Sequence, residues 1–319
     1  MPLLPLTWAQ VGEPSPTLPL SMGTWNLLAD GLTSDFTHIA PDALAWPLRG
    51  PQILAELTSL HLDICCLQEL NHPETLRELS ATHALLFAPK LLSPALAGGA
   101  PGCGTALLLR RERLEVVAVD VVYFAAPAGG LSNQVAIVAT VRDRASGRQL
   151  VVSSAHLKAG AGAANEALRL SQVQQLAAHV RGARMHAEAA TGRPVPCVCG
   201  GDFNTAPGEA PYGALLTALP GAASAFNALP AAAAGSVGVG EYAAGEPRFT
   251  TWKFRGHGRA GGEEKKVTED YVFYTAGSGL RLAGRKRLPE EAELGQYGLP
   301  SAACPSDHLP LAAQFAWEE

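Results

Sequence analysis

The chain has 319 residues, 47% hydrophobic and 17% charged, which is enough apolar content for a sizeable core. Gly (33) and Pro (24) are frequent, yet together they stay below the ~25–30% typical of low-complexity chains. Collagen, coiled coil and wholesale disorder are thereby excluded, and a formal net charge of −5 excludes a strongly basic nucleic-acid-binding coat while allowing a local basic groove.

Residues 1–20, broken by Pro2, Pro5, Pro14, Pro16 and Pro19, read as a loosely ordered lead-in. They hold no basic residue, so neither a secretory n-region nor an Arg-bearing transit peptide is expected. No apolar run reaches the ~18 residues of a membrane span, and the expectation is an intracellular, cytoplasmic protein. A strand is expected at 21–28, a helix at 52–60 and a strand at 63–67. Strands follow at 105–109, 116–124, 135–141 and 150–154. Residues 163–186 form the clearest helix, with Leu170, Val173, Ala177 and Val180 at the helical period. Further strands are expected at 195–199, 249–254, 271–274 and 309–315. Loops are expected at 93–104, at 220–247 (an Ala/Gly-rich insertion) and at 256–266. No change of composition divides the chain, so 21–319 read as one domain. Short strands interspersed with helices suggest an α/β sandwich rather than strict βαβ alternation.

Cys65, Cys66, Cys103, Cys197, Cys199 and Cys304 form no Cys-x-x-Cys pair, and most fall in apolar strands. Reduced core cysteines are expected, rather than a zinc site or a disulfide framework. The chemistry lies elsewhere. Trp25-Asn26, Leu67-Gln68-Glu69, Gly201-Asp202-Phe203-Asn204 and Ser306-Asp307-His308 each set a carboxylate or amide beside a strand end, and His156 follows another strand. Strand ends are where sheet proteins gather catalytic groups. Hard oxygen donors with two His and no thiolate suit a Mg²⁺-assisted phosphoester site.

Several segments carry a family resemblance. They are Thr24-Trp25-Asn26-Leu27-Leu28-Ala29, Leu67-Gln68-Glu69, Ala155-His156-Leu157, Gly201-Asp202-Phe203-Asn204-Thr205-Ala206-Pro207, Asp270-Tyr271-Val272 and Pro305-Ser306-Asp307-His308-Leu309-Pro310. In these motifs and their order the chain resembles the endonuclease/exonuclease/phosphatase superfamily. The resemblance implies a four-layer α/β sandwich, with two central mixed β-sheets flanked by helices and the site at one edge of the paired sheets. It implies Glu69, Asn26 and Asp307 on the metal side, with one or two Mg²⁺ ions for which Mn²⁺ could substitute. It also implies that Asp202 activates water, that Asn204 positions water or phosphate, that His156 and His308 donate to phosphoryl oxygens, and that Asp270 orients His308.

Asn26-Leu27-Leu28-Ala29-Asp30 and Asp202-Phe203-Asn204-Thr205-Ala206-Pro207 resemble the deadenylase branch of that superfamily. Phe87-Ala88-Pro89-Lys90, Ser93-Pro94, His156-Leu157-Lys158-Ala159 and Phe249-Thr250-Thr251-Trp252-Lys253 are similar to its nocturnin-like group. Lys90, Lys158 and Lys253 are then candidates for a pocket that takes a second phosphate. The group is associated with removal of the 2′-phosphate of NADP(H), and close relatives with removal of 3′-terminal adenylates from RNA. The expected partner is accordingly a small nucleotide or an RNA 3′ end, with no membrane and no obligate protein partner. A 3′–5′ exoribonuclease, an inositol-phosphate or lipid phosphatase and an inactive binding protein on the same fold are the alternatives. Three departures bear on substrate. Gly160 stands where the group has Arg, with Arg169 and Arg255 as potential replacements. Pro101-Gly102-Cys103 replaces an Asp-Gly-Cys, and Glu269 replaces an apolar residue before Asp270.

Overall fold

The computed structural model describes residues 7–11, 18–93, 96, 102–127, 129–227, 245–255, 263–294, 298–301 and 304–318. The strands in chain order are β1 (Trp8–Gln10), β2 (Leu20–Asn26), β3 (Ile64–Leu70), β4 (His83–Pro89), β5 (Gly104–Arg110), β6 (Leu114–Ala125), β7 (Leu131–Asp143) and β8 (Gln149–His156). They continue with β9 (Cys197–Asp202), β10 (Ala222–Ser224), β11 (Thr251–Arg255), β12 (Glu263–Val267), β13 (Asp270–Thr275), β14 (Leu280–Lys286) and β15 (Leu311–Trp317). The helices are α1 (Pro41–Leu44), α2 (Trp46–Leu60), α3 (Ala163–Thr191), α4 (Ala210–Ala218) and α5 (Glu291–Leu294).

A seven-stranded sheet runs β1-β14-β15-β2-β3-β5-β4, and a six-stranded sheet runs β10-β13-β9-β8-β7-β6. β2 pairs β3 in parallel and β8 pairs β9 in parallel, and antiparallel neighbours make both sheets mixed. Between the sheets lies a core that includes Met22, Ile64, Cys66 and Leu107 from one and Ile137, Val152, Val198 and Val272 from the other. Ile53, Leu57 and Leu60 of α2 cover the opposite face of the first sheet, against Cys65, Leu67 and Leu108. Val173, Leu176 and Val180 of α3 and Leu215 of α4 cover the outer face of the second, against Val151, Cys197, Cys199 and Phe273. The result is helix, sheet, sheet, helix. The strand period of two decides which side chain enters which layer: Cys65 and Cys66 go to opposite faces, and Cys197 and Cys199 share one. The six cysteines are free and buried.

Several elements differ from expectation. The lead-in contributes β1, whose Trp8 and Gln10 pair with Lys286 and Gly284. α2 begins at Trp46 rather than 52, and it continues through Pro51. A helical proline loses one hydrogen bond, and here burial of Arg49, Ile53 and Leu57 on one side of the helix holds the turn. α3 runs past 186 to Thr191 and stops where Gly192 turns left-handed at φ 66°. β4, β14 and α4 were not foreseen. β12 falls in the loop expected at 256–266, and β10 falls near the start of the one expected at 220–247. The remainder of that insertion (228–244), residues 256–262 and most of 93–104 lie outside the described residues. Among the described residues no helix is long and apolar enough to cross a membrane.

Topology brings the motifs together. β2, β3, β8 and β9 end at one edge, and β13 and β15, antiparallel to β9 and β2, begin there. His156 and Asp270 are both register partners of Asp202. The sheets approach closely just beneath. Gln68 Nε2 donates to Ser154 Oγ (3.2 Å) and Cys66 Sγ donates to Ser153 O (3.3 Å). Within the second sheet, a Cβ on Gly201 of β9 would sit 2.2 Å from Ala155 O of the neighbouring β8, so only glycine fits there. Gly201→Ala should destabilise the protein by at least ~1–3 kcal/mol, the usual cost of overpacking. Gly182→Ala in α3, where a Cβ meets nothing within 4 Å, should stabilise it, by ~0.5–1 kcal/mol. Urea unfolding of both variants checks this, and equal effects of the same sign would contradict the packing argument.

Candidate active site

Asn26, the last residue of β2, is buried. Its Oδ1 accepts from Leu28 N (3.0 Å), which turns Nδ2 toward two carboxylates. Nδ2 donates to Asp202 Oδ2 (2.9 Å) and Glu69 Oε1 (3.2 Å). Glu69 Oε2 accepts from Ala29 N (3.0 Å). To reach this position Glu69 adopts a left-handed φ of 55° at the end of β3, where the pairing with β5 is irregular. Asn204, with φ 49°, is also left-handed; its N–H donates to Asp202 Oδ1 (2.9 Å) and its Nδ2 to Leu157 O (3.2 Å). Such backbone outliers persist where surrounding bonds over-determine them, and they gather at functional sites.

His156 and His308 flank Asp202 from either side, Nε2 to Oδ2, at 3.7 and 3.9 Å. His156 Nδ1 accepts from Lys90 Nζ (3.2 Å), which leaves the Nε2 proton facing Asp202 and Glu69 (4.0 Å from Oε1). Burial, reinforced by Lys90, pushes the His156 pKa well below its ordinary value, so the ring is neutral. His308 is held by Asp270, whose Oδ2 lies 2.8 Å from Nδ1. Burial opposes the His308 imidazolium, but the Asp270 charge outweighs it and the pKa stands at about 9. Lys253 Nζ lies 3.0 Å from His308 Nε2.

Thr250, absent from the sequence-derived site, fixes Asp270. Its hydroxyl accepts from Glu269 N (3.0 Å) and Asp270 N (3.1 Å) and donates to Asp270 Oδ2 (2.6 Å). A threonine ahead of a strand carries no metal or acid–base signal, so only its neighbours in Phe249-Thr250-Thr251-Trp252-Lys253 could have pointed to it. Asp307 Oδ2 takes Lys253 Nζ (2.7 Å) and Arg255 Nη2 (3.1 Å), and these cations hold its carboxyl well below the usual range despite burial. Lys253, expected to serve a second phosphate, is thus buried on Asp307 and His308. Lys90, on His156, and Lys158 are both half-buried. Arg169 Nη1 donates to the carbonyls of Lys158 (3.0 Å) and Gly160 (2.8 Å), bracing that loop, whereas Arg255 reaches the site itself. Glu269 is buried, with Oε1 on Lys265 Nζ (2.5 Å).

The donor set suits a hard divalent cation. Among the described residues Asp202, Asp270 and His308 offer ligand atoms within 4.8 Å of one another, and Asp270 Oδ1 is buried without a hydrogen-bond partner. Asn26 ties Glu69 to the same cluster, and no thiolate is among these donors. The tightest ligand group is drawn from residues expected in catalytic roles, while an oxygen of Asp307, expected on the metal side, serves an ion-pair network.

Burial, then the neighbouring Asp270, raises the Asp202 pKa to about 7. An unfolded Asp titrates near ~4. Between these values the folded chain holds a proton that the unfolded chain releases, so stability falls as pH rises through that window. Metal-free Asp202→Asn should therefore exceed the parent in stability at pH 8 and lose that advantage at pH 5. Urea unfolding in EDTA at the two pH values measures it, and a pH-independent difference would contradict the assignment.

A family model described as "Endonuclease/Exonuclease/phosphatase family" matches residues 23–308. The chain is 32% identical to Nocturnin of Xenopus laevis over 305 residues, 92% of this chain and 72% of that protein. It is 33% identical to Nocturnin of Drosophila melanogaster over 309 residues, 91% of this chain, and spans 46% of that longer protein. The solved human Nocturnin catalytic domain, which holds a bound sulfate anion, matches with a TM-score of 0.75 at 27% identity, covering 98% of each chain. Members of this family generally use a divalent metal. Fold, motif order and buried donor set agree, and the chain belongs to the endonuclease/exonuclease/phosphatase family.

Proposed function

We propose that this protein is a Mg²⁺-dependent phosphomonoesterase that removes the 2′-phosphate of NADP(H) or a similar adenine nucleotide. The observation that carries the reading is a small ring of cations around a carboxylate-lined centre. Lys90 lies at His156, Lys253 at His308 and Arg255 at Asp307. Such a site suits one reacting phosphate and one neighbouring phosphate. Affinity for a long polyanion instead rests on many Lys/Arg–phosphate contacts, and the net charge of −5 supports a small ligand. The likeness to nocturnins supports the same reading.

Bound to the carboxylates, the cation would neutralise phosphoryl charge and align an in-line displacement. The chain's own groups do the rest. Asn26 Nδ2 and Asn204 N hold Asp202 by both oxygens, aimed at the attacking water, and Asp202 accepts its proton. His156 donates through Nε2 to phosphoryl oxygens as negative charge builds, and Lys90 fixes the tautomer that allows it. His308, protonated in the field of Asp270, donates from the other side.

A 3′–5′ exoribonuclease acting on poly(A) is the second reading. It attacks a phosphorus next to the same adenosine ribose, and Arg255, placed over the Phe36 ring at 5.1 Å, favours it as a cation–aromatic pair of the kind that supports stacked bases. Phosphate release from NADPH by the purified protein, with Mg²⁺ and with EDTA, separates the two. The proposal expects Mg²⁺-dependent release that yields NADH and disappears in Glu69→Ala. Shortening of 3′-labelled oligo(A) without NADPH turnover would overturn it in favour of the exoribonuclease, and turnover of neither would overturn both.

A further inference from the structure

α2 sets a guanidinium among otherwise apolar neighbours. Arg49 is 0% exposed, on the side of the helix that carries Ile53 and Leu57. A buried guanidinium is costly unless its donors are satisfied. Here Nε donates to Leu44 O (2.9 Å), Nη1 to Leu27 O (3.2 Å) and Pro305 O (2.7 Å), and Nη2 to Leu28 O (2.6 Å) and Asp30 Oδ1 (3.2 Å). Most of the acceptors are backbone carbonyls in two segments far apart in sequence.

Both segments carry the site. Leu27 and Leu28 lie between Asn26 and Ala29, whose side chain and N–H respectively hold Glu69, and Leu28 is itself left-handed at φ 57°. Pro305 precedes Ser306, whose hydroxyl donates to Asn26 O (2.5 Å), and then Asp307 and His308. An apolar residue would fill the same space without desolvating a charge. A planar fork that donates in several directions is what binding these carbonyls together requires, and Lys, with one rotatable ammonium, does not replace it. The local sequence Trp46-Pro47-Leu48-Arg49 gave no sign of this role.

We propose that Arg49 is a positioning residue. It locks the turn after β2 to the approach to β15, and so holds Glu69 and Asn26 in register with Asp307 and His308. Arg49 touches none of the reacting groups. The activity readout below rests on the phosphoesterase reading, and the metal-affinity readout does not.

The experiment compares Arg49→Lys and Arg49→Met with the parent, all as the full chain. It measures urea unfolding, Mn²⁺ affinity by calorimetry, and kcat and KM on NADPH. Both variants should fold and bind Mn²⁺ ~10–100-fold more weakly, as when groups that orient ligands are lost. Misplacement of the site should lower kcat by ~10²-fold, with KM within about threefold because the ring of cations is untouched. Millimolar guanidinium should restore part of the kcat of Arg49→Ala. A folded Arg49→Lys with parental Mn²⁺ affinity and kcat would overturn the proposal. So would failure of both variants to fold, which would make Arg49 a core residue only. If the parent does not turn over NADPH, the functional reading falls and the Mn²⁺ affinities still decide the role of Arg49.

Discussion

The carboxamide of Asn26 is the point at which the two sheets become one site. Its orientation is set by Leu28 N on Oδ1, and Nδ2 then bridges Glu69 of its own sheet and Asp202 of the opposite one. Without that bridge two buried carboxylates would face each other across the sheet interface, each stripped of water. With it, they share a donor and stand on one centre. The bridge requires β2 and β9 to end side by side, which in turn rests on the close approach at Gly200, where a Cβ would lie 2.9 Å from Cys66 Sγ, and on the Gln68–Ser154 contact. Packing beneath the site is thus a condition of its electrostatics.

The electrostatics remain unsettled by design of the neighbours. Asp202 and Asp270 are adjacent in register, and their mutual repulsion adds to burial in lifting the Asp202 pKa to about 7. His308, Thr250 and Asn26 relieve part of this. A divalent cation would relieve more, because it replaces lost hydration with charge of the opposite sign. Lys253 and Arg255 do the corresponding service for Asp307. The site therefore alternates carboxylates with cations over a few ångströms, the arrangement that a phosphoryl dianion with its metal can enter with little change in net charge.

The motifs Trp25-Asn26, Gln68-Glu69, Gly201-Asp202-Phe203-Asn204 and Ser306-Asp307-His308 were legible because strand ends with oxygen donors are informative locally. So were α3, through its helical period, and the split of Cys65 from Cys66, through the strand period. Less was legible where tertiary partners decide. β12 is Glu263-Glu264-Lys265-Lys266-Val267, a poor strand former that exists because β11 pairs with it. β9 runs through Gly200 and Gly201, which weaken a strand in isolation but are demanded by Cys66 of the opposite sheet and by Ala155 of the neighbouring β8, respectively. The roles of Thr250 and Arg49 are hydrogen-bond roles toward residues distant in the chain, and no local pattern records them. Lys253 was expected in a second-phosphate pocket, and its pairing with Asp307 depends on where β11 meets the approach to β15.

The central claim is that Glu69 and Asp202, brought from separate sheets, form a single metal-binding site. Mn²⁺ affinity of Glu69→Gln, Asp202→Asn and the double variant tests it most directly as a double-mutant cycle. One shared site predicts strong coupling, with the double variant little weaker than the worse single. Affinity losses that simply multiply would mean independent groups and would contradict the account.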